Sequence, residues 1–140
     1  MIIELDSLIA YVNKKDKHHE LVSKFFEYVA AGKYKNVKVA TSAYLEYSLL
    51  LKSKGYSEAD VREDLLYFRN FPNLREAPLT LEVFIKASEL REKYNLSFFD
   101  SLHVATSLLF DGVIVSLDKA YRSIKGLKAL RHDEVPVDVF

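Results

Sequence analysis

The spacing of apolar residues along the chain changes several times, and each change marks an element. Residues 1–5 form a brief, mostly apolar run, read as a buried strand, and residues 7–13 continue as a short apolar helix. Between residues 17 and 31, Leu21, Val22, Phe25, Phe26 and Val29 fall on one helical stripe that Gly32 ends. Residues 36–40 read as a second strand, feeding a helix over 42–53 that Gly55 stops. Ser57, with Asp60 three residues on, opens another helix carrying Val61, Leu65, Leu66 and Phe68, and Pro72 closes that region. Residues 74–77 are a third strand; Thr80 caps a helix to about Tyr94, and Ser97 caps the next to about Phe110. Asp111-Gly112 turns the chain into the apolar strand 113–117, after which come a short helix over 119–124 and one or two weak strands.

Strands that alternate with helices imply an α/β fold with a mainly parallel sheet covered on both faces, and extra helices between residues 57 and 94. Four Gly, three Pro and no repeat or low-complexity tract leave no linker, so residues 1–140 read as one domain. Zero Cys excludes disulfides, thiolate metal sites and cysteine nucleophiles, leaving oxygen or the four His to hold any metal. Twenty basic and twenty acidic residues are balanced in each half, with no basic arm to grip a phosphate backbone. The apolar runs are too short to span a membrane, and the acids in MIIELDSLIAYV do not suit a signal peptide, so a cytoplasmic protein is expected.

Four acids stand where apolar residues would pack more easily. Read singly, Asp6 is an N-cap for the first short helix, Asp118 caps the helix after strand 113–117, and Asp100 completes a capping box with Ser97. Glu46 lies in TSAYLEYSLLLK, a helix apolar nearly all round, where the bland role is a first-turn acid favoured by the helix dipole. Read together they say more, because in an open parallel sheet strand carboxyl ends and helix amino ends share one edge, where ligands collect. Carboxylates gathered there repel one another unless a cation neutralises them. Mg²⁺ or Mn²⁺, hard ions that prefer oxygen and keep waters for a substrate phosphate, meet that need.

In order and flanking residues, Asp6 in ELDSLIAYV, Glu46 in TSAYLEYSLLL, Asp100 in LSFFDSLHVA and Asp118 in VIVSLDKAY resemble the PIN-domain nucleases, most closely the small VapC-type toxins. The resemblance covers essentially the whole chain. It implies a PIN-like three-layer α/β/α domain with a four- or five-stranded sheet, Asp6, Glu46, Asp100 and Asp118 as metal-binding catalytic acids, and Ser116 orienting a water or ligand. Ser7 matches a common family hydroxyl. An RNA substrate, a homodimer and an antitoxin partner that blocks the site are further implications. The mechanism expected is hydrolysis by a metal-activated water, with no protein nucleophile.

Around the quartet, His103 is read as a partly buried structural histidine, with a role as partner of the acids as the alternative. His18 and His19, with Lys14, Lys15 and Lys17, are either a solvated loop or a contact to RNA phosphate, and Lys119 and Arg122 lie at the mouth of the crevice. Rival chemistries fit less well. The aspartyl-phosphate pattern wants an acid where Leu8 stands. A non-catalytic module that binds RNA or protein through the same fold is the remaining alternative.

Overall fold

The computed structural model describes residues 1–137, so the last three residues of the expected domain lie outside the described residues. Each expected element is present, with shorter strands. The sheet consists of β1 (Ile2–Ile3), β2 (Lys38–Ala40), β3 (Arg75–Ala77), β4 (Val113–Val115) and β5 (Lys128–Leu130), all parallel, in the order β3-β2-β1-β4-β5. Ile2 lies opposite Lys38 on one side and Ile114 on the other, so the shortest strand is the centre of the sheet. The chain runs outward from β1 to β3, then returns to the far side of β1 for β4. The crevice beyond the carboxyl ends of β1 and β4 is thus the point where the winding reverses.

The helices are α1 (Leu5–Val12), α2 (His19–Ala30), α3 (Thr41–Ser53), α4 (Glu58–Arg69), α5 (Leu81–Lys93) and α6 (Phe98–Phe110), with 3₁₀ turns at Lys119–Ser123 and His132–Glu134. The expected caps at Ser57, Thr80 and Ser97 form: each hydroxyl accepts the backbone N–H three residues on. Gly112, with a φ of +75°, makes the turn from α6 into β4 that a side chain would strain. The expected cap at Asp6 does not form. The strand ends at Ile3, Glu4 becomes the N-cap, and its side chain accepts the Asp6 N–H, leaving Asp6 inside the first helical turn. Among the described residues no helix is long and apolar enough to cross a membrane.

On β4, Ile114 and Val115 point to opposite faces and belong to different core clusters. Val115 joins Leu8, Phe26 and Phe68 from α1, α2 and α4, whereas Ile114 joins Ala87, Leu102 and Tyr121 on the α5–α6 side. This is the three-layer arrangement the alternation implies. Tyr11 stacks on Phe26 at 4.4 Å between ring centroids, and Phe71 meets Phe26 edge-on at 5.4 Å. Each buried Phe contributes about 2–3 kcal/mol by the area it removes from water.

Two histidines join elements. His19 Nδ1 donates to the Ala10 carbonyl at 2.8 Å, which leaves Nε2 to accept from the Ser23 hydroxyl at 3.1 Å. His19 therefore staples α1 to α2 rather than reaching for a phosphate. His132, 1% exposed, sits edge-on to Phe25 and makes a 2.7 Å hydrogen bond between Nε2 and Ser7 Oγ, while Nδ1 has no partner. Burial pushes its pKa down to about 4, outweighing the opposite pull of Asp6 and Asp133.

A histidine that stays neutral when folded but takes up a proton near its ordinary 6.5 when unfolded supplies stability that is present above that value. This stability is lost as pH falls toward about 4. Urea unfolding of the wild type and of His132→Gln is expected to show the wild type losing about 2 kcal/mol more than the variant between pH 7.5 and pH 5. Equal losses in the two proteins would remove His132 as the source.

Candidate active site

At the end of β1 two acids leave the sheet in quick succession. Glu4, 5% exposed, accepts the Asp6 N–H on Oε1 at 3.2 Å and the Tyr121 hydroxyl on Oε2 at 2.7 Å. Asp6 turns the other way. Its Oδ2 accepts both the Ser116 hydroxyl at 2.9 Å and the Leu117 N–H at 2.7 Å, and its Oδ1 receives the Ser7 hydroxyl at 3.3 Å. Ser116 Oγ accepts the Asp118 N–H at 3.0 Å, so Asp6, Ser116 and Asp118 form one hydrogen-bonded chain around the end of β4. Asp118 is exposed, and its carboxylate caps the following 3₁₀ turn through the Ala120 N–H at 2.9 Å, as its sequence position suggested.

The opposite wall is made where α3 crosses α6. Asp100, half-buried, lies in the first turn of α6, and His103, fully buried, is one turn later. His103 Nε2 meets Glu46 Oε1 at 2.9 Å and Nδ1 meets Ser42 Oγ at 2.7 Å. A carboxylate that is ionised can only accept, so Nε2 donates in the contact with Glu46. Glu46 lies past the first turn of α3, so the helix dipole is not what favours it there. His103 turns out to be both fully buried and a partner of the acids.

The two walls meet at Glu4, whose importance the sequence concealed. One oxygen of Glu4, one of Asp100 and a ring nitrogen of His103 all lie within 4.8 Å of one another. On a strand continuing past Ile3, Glu4 and Asp6, two residues apart, would share one face. The helix that begins at Leu5 swings Glu4 toward α6 instead. Its legible signal was an acid directly after Ile2-Ile3 and two residues before Asp6. Burial pushes the Glu4 carboxyl well above the usual carboxylate range, and the negative charges of Asp6 and Asp100 add to the effect, against the hydrogen bond from Tyr121. Burial, then the charge of Glu4, hold the proton on the Tyr121 hydroxyl, with Asp100 adding to both.

Of the five residues singled out from sequence, Asp6, Ser116 and Asp118 are joined by direct hydrogen bonds. Glu46 is tied to His103, which lies on the same helix as Asp100. Closely spaced carboxylate oxygens suit a hard divalent cation, and the donors present fit one.

Residues 6–127 match the PIN domain, and the chain belongs to that family. Its fold is similar to that of VapBC2 from Rickettsia felis bound to a fragment of promoter DNA, with a TM-score of 0.71 and 13% identity over 93% of this chain and 96% of that one. A toxin–antitoxin complex from Klebsiella pneumoniae has a TM-score of 0.67 and 12% identity, covering 96% and 98%. Mycobacterium tuberculosis VapC20, a toxin that cleaves the sarcin-ricin loop, has a TM-score of 0.66 and 14% identity, covering 87% and 92%. No curated protein matches the chain in sequence.

The double hydrogen bond on Asp6 gives a graded expectation. Ser116→Ala removes the hydroxyl that donates to Asp6 and accepts the N–H of the exposed Asp118, and is expected to cost about 1 kcal/mol. Asp6→Ala strands both Ser116 and the Leu117 N–H, at an expected cost of about 2–3 kcal/mol. Urea midpoints of the two variants measure the order, and a costlier Ser116→Ala would contradict this reading of the contacts.

Proposed function

We propose that this chain is a metal-dependent endoribonuclease, a single nuclease domain over residues 1–140 that hydrolyses RNA phosphodiester bonds in the cytoplasm as the toxin of a toxin–antitoxin pair. The observation that carries the reading is the approach of Glu4, Asp100 and His103 at the carboxyl edge of an all-parallel sheet, in a chain of the PIN-domain family. Likeness in fold to the toxins above supports the assignment to RNA and to an antitoxin partner. Asp6, Glu46, Asp100 and Asp118 are the site acids. They hold Mg²⁺ or Mn²⁺ directly or position the groups that do, and Ser116 orients them from the end of β4. A bound divalent ion would polarise the phosphate and lower the pKa of a water that attacks it.

The charges of the crevice account for the need for a cation. A wall of acids repels a polyanion, and the balanced sequence offers no bulk positive field to overcome that repulsion. Arg122, at the expected mouth, is already paired with Glu134, which leaves Lys119 as the freer cation beside Asp118. Leu45 and Leu49 on α3, with Leu81, Phe84 and Ile85 on α5, are exposed and supply apolar surface for a homodimer.

A mixed RNA pool incubated with Mg²⁺ or Mn²⁺ is expected to yield fragments with 5′-phosphate and 3′-hydroxyl ends. Excess EDTA abolishes the cleavage, and Asp100→Asn reduces it at least about 100-fold. A 2′,3′-cyclic phosphate end would instead make the ribose hydroxyl the nucleophile. RNA binding without metal-dependent cleavage would favour the non-catalytic module. Light scattering is expected to give the mass of a dimer, and a monomer mass at working concentration would refute the association.

A further inference from the structure

We infer that Glu4, and not Asp6, is the carboxylate of the β1–α1 junction that faces the cation beside Asp100, and that Asp6 is a positioning residue. The inference rests on the metal-dependent reading above and names which of two neighbouring acids does the binding. The two differ in what already occupies their oxygens. Asp6 directs Oδ2 at two donors of the β4 end, which fill both lone pairs of that oxygen, and Oδ1 at Ser7, which leaves one lone pair in all. Glu4 holds one hydrogen bond on each oxygen, and the one on Oε1 is long at 3.2 Å. A carboxylate oxygen has two lone pairs, so each Glu4 oxygen keeps one free.

Place separates the acids as well. Glu4 belongs to the group whose donor atoms lie within 4.8 Å of one another, together with Asp100 and His103, and Asp6 does not. Oxygen ligands of one Mg²⁺ at roughly 2.0–2.1 Å lie about 3–4 Å apart, a spacing that small side-chain adjustments reach from there. His103 has both ring nitrogens engaged, one with Ser42 and one with Glu46, so it orients Glu46 and leaves Glu4 and Asp100 as the facing pair. Among the described residues no Lys, Arg or His forms an ion pair with Glu4, although it is 5% exposed. A carboxylate so buried is stable in its charged form only beside a positive partner, and a cation shared with Asp100 would supply one. Tyr121, donating to Oε2 at 2.7 Å, fixes the glutamate side chain and is a second positioning residue.

Mn²⁺ binding tests the assignment without recourse to activity. The full chain, wild type and variants, is titrated with Mn²⁺ while the paramagnetic resonance of the free aqueous ion is followed, and near-UV circular dichroism reports the fold. Glu4→Gln and Asp100→Asn are expected to weaken Mn²⁺ binding tenfold or more, and Asp6→Asn to weaken it at least about threefold less than Glu4→Gln does. Wild-type affinity in Glu4→Gln, or a loss in Asp6→Asn as large as that in Glu4→Gln, overturns the inference while leaving the metal-dependent reading in place. A wild type that binds no Mn²⁺ overturns that reading itself. Should Glu4→Gln lose the native spectrum, Glu4→Asp keeps the charge and shortens its reach. A loss of threefold or more then supports the assignment, and unchanged affinity overturns it.

Discussion

The pairing of Ile2 and Ile3 to strands on both sides is the contact on which the remaining structure depends. Two residues join β2 and β3 to β4 and β5, and both are fully buried. Because the strand is so short, its carboxyl end is fixed closely, and the chain enters a helix immediately. The short strand is what turns Glu4 toward α6 and Asp6 toward β4. A strand extended through Asp6 would instead hold both acids on one face, because residues two apart on a strand point to the same side. The site is therefore a consequence of where β1 stops.

The parts of the fold that depend on local chemistry were legible in the sequence. Ser57, Thr80 and Ser97 cap helices because a hydroxyl at that offset can reach an N–H three residues on whatever the rest of the chain does. The stripe of Val22, Phe25, Phe26 and Val29 is buried as its spacing requires. The acids Asp6, Glu46, Asp100 and Asp118 were visible as residues out of place, and the PIN-domain family was legible from the segments around them. What escaped was set by contacts distant in sequence. The last residue of β1 is decided by its neighbours in the sheet, so Asp6 was given the cap that Glu4 provides. The bond between Glu46 and His103 exists only because α3 crosses α6, and no spacing within either helix encodes that crossing.

Hydrogen bonds rather than ion pairs organise the acidic edge. Apart from the contact of Glu46 with His103, the partners of Glu4, Asp6 and Asp118 are hydroxyls and backbone N–H groups. Neutral donors orient a carboxylate without cancelling its charge, so the geometry is preserved while the appetite for a cation remains. Lys and Arg placed there would have made the apo protein more comfortable and the site less able to bind.

The joining of Asp6 to Ser116 spans 110 residues, and Ser7 reaches still further, to His132. During synthesis β1 is made first, yet through most of elongation it has only β2 to pair with. Its other edge waits for β4, and the acidic cluster waits for α6. Closing such distant contacts is slow compared with forming helices, so the chain emerges with its helices made and its crevice unassembled. A nascent chain of this design carries no finished site until both α6 and the end of β4 have been translated.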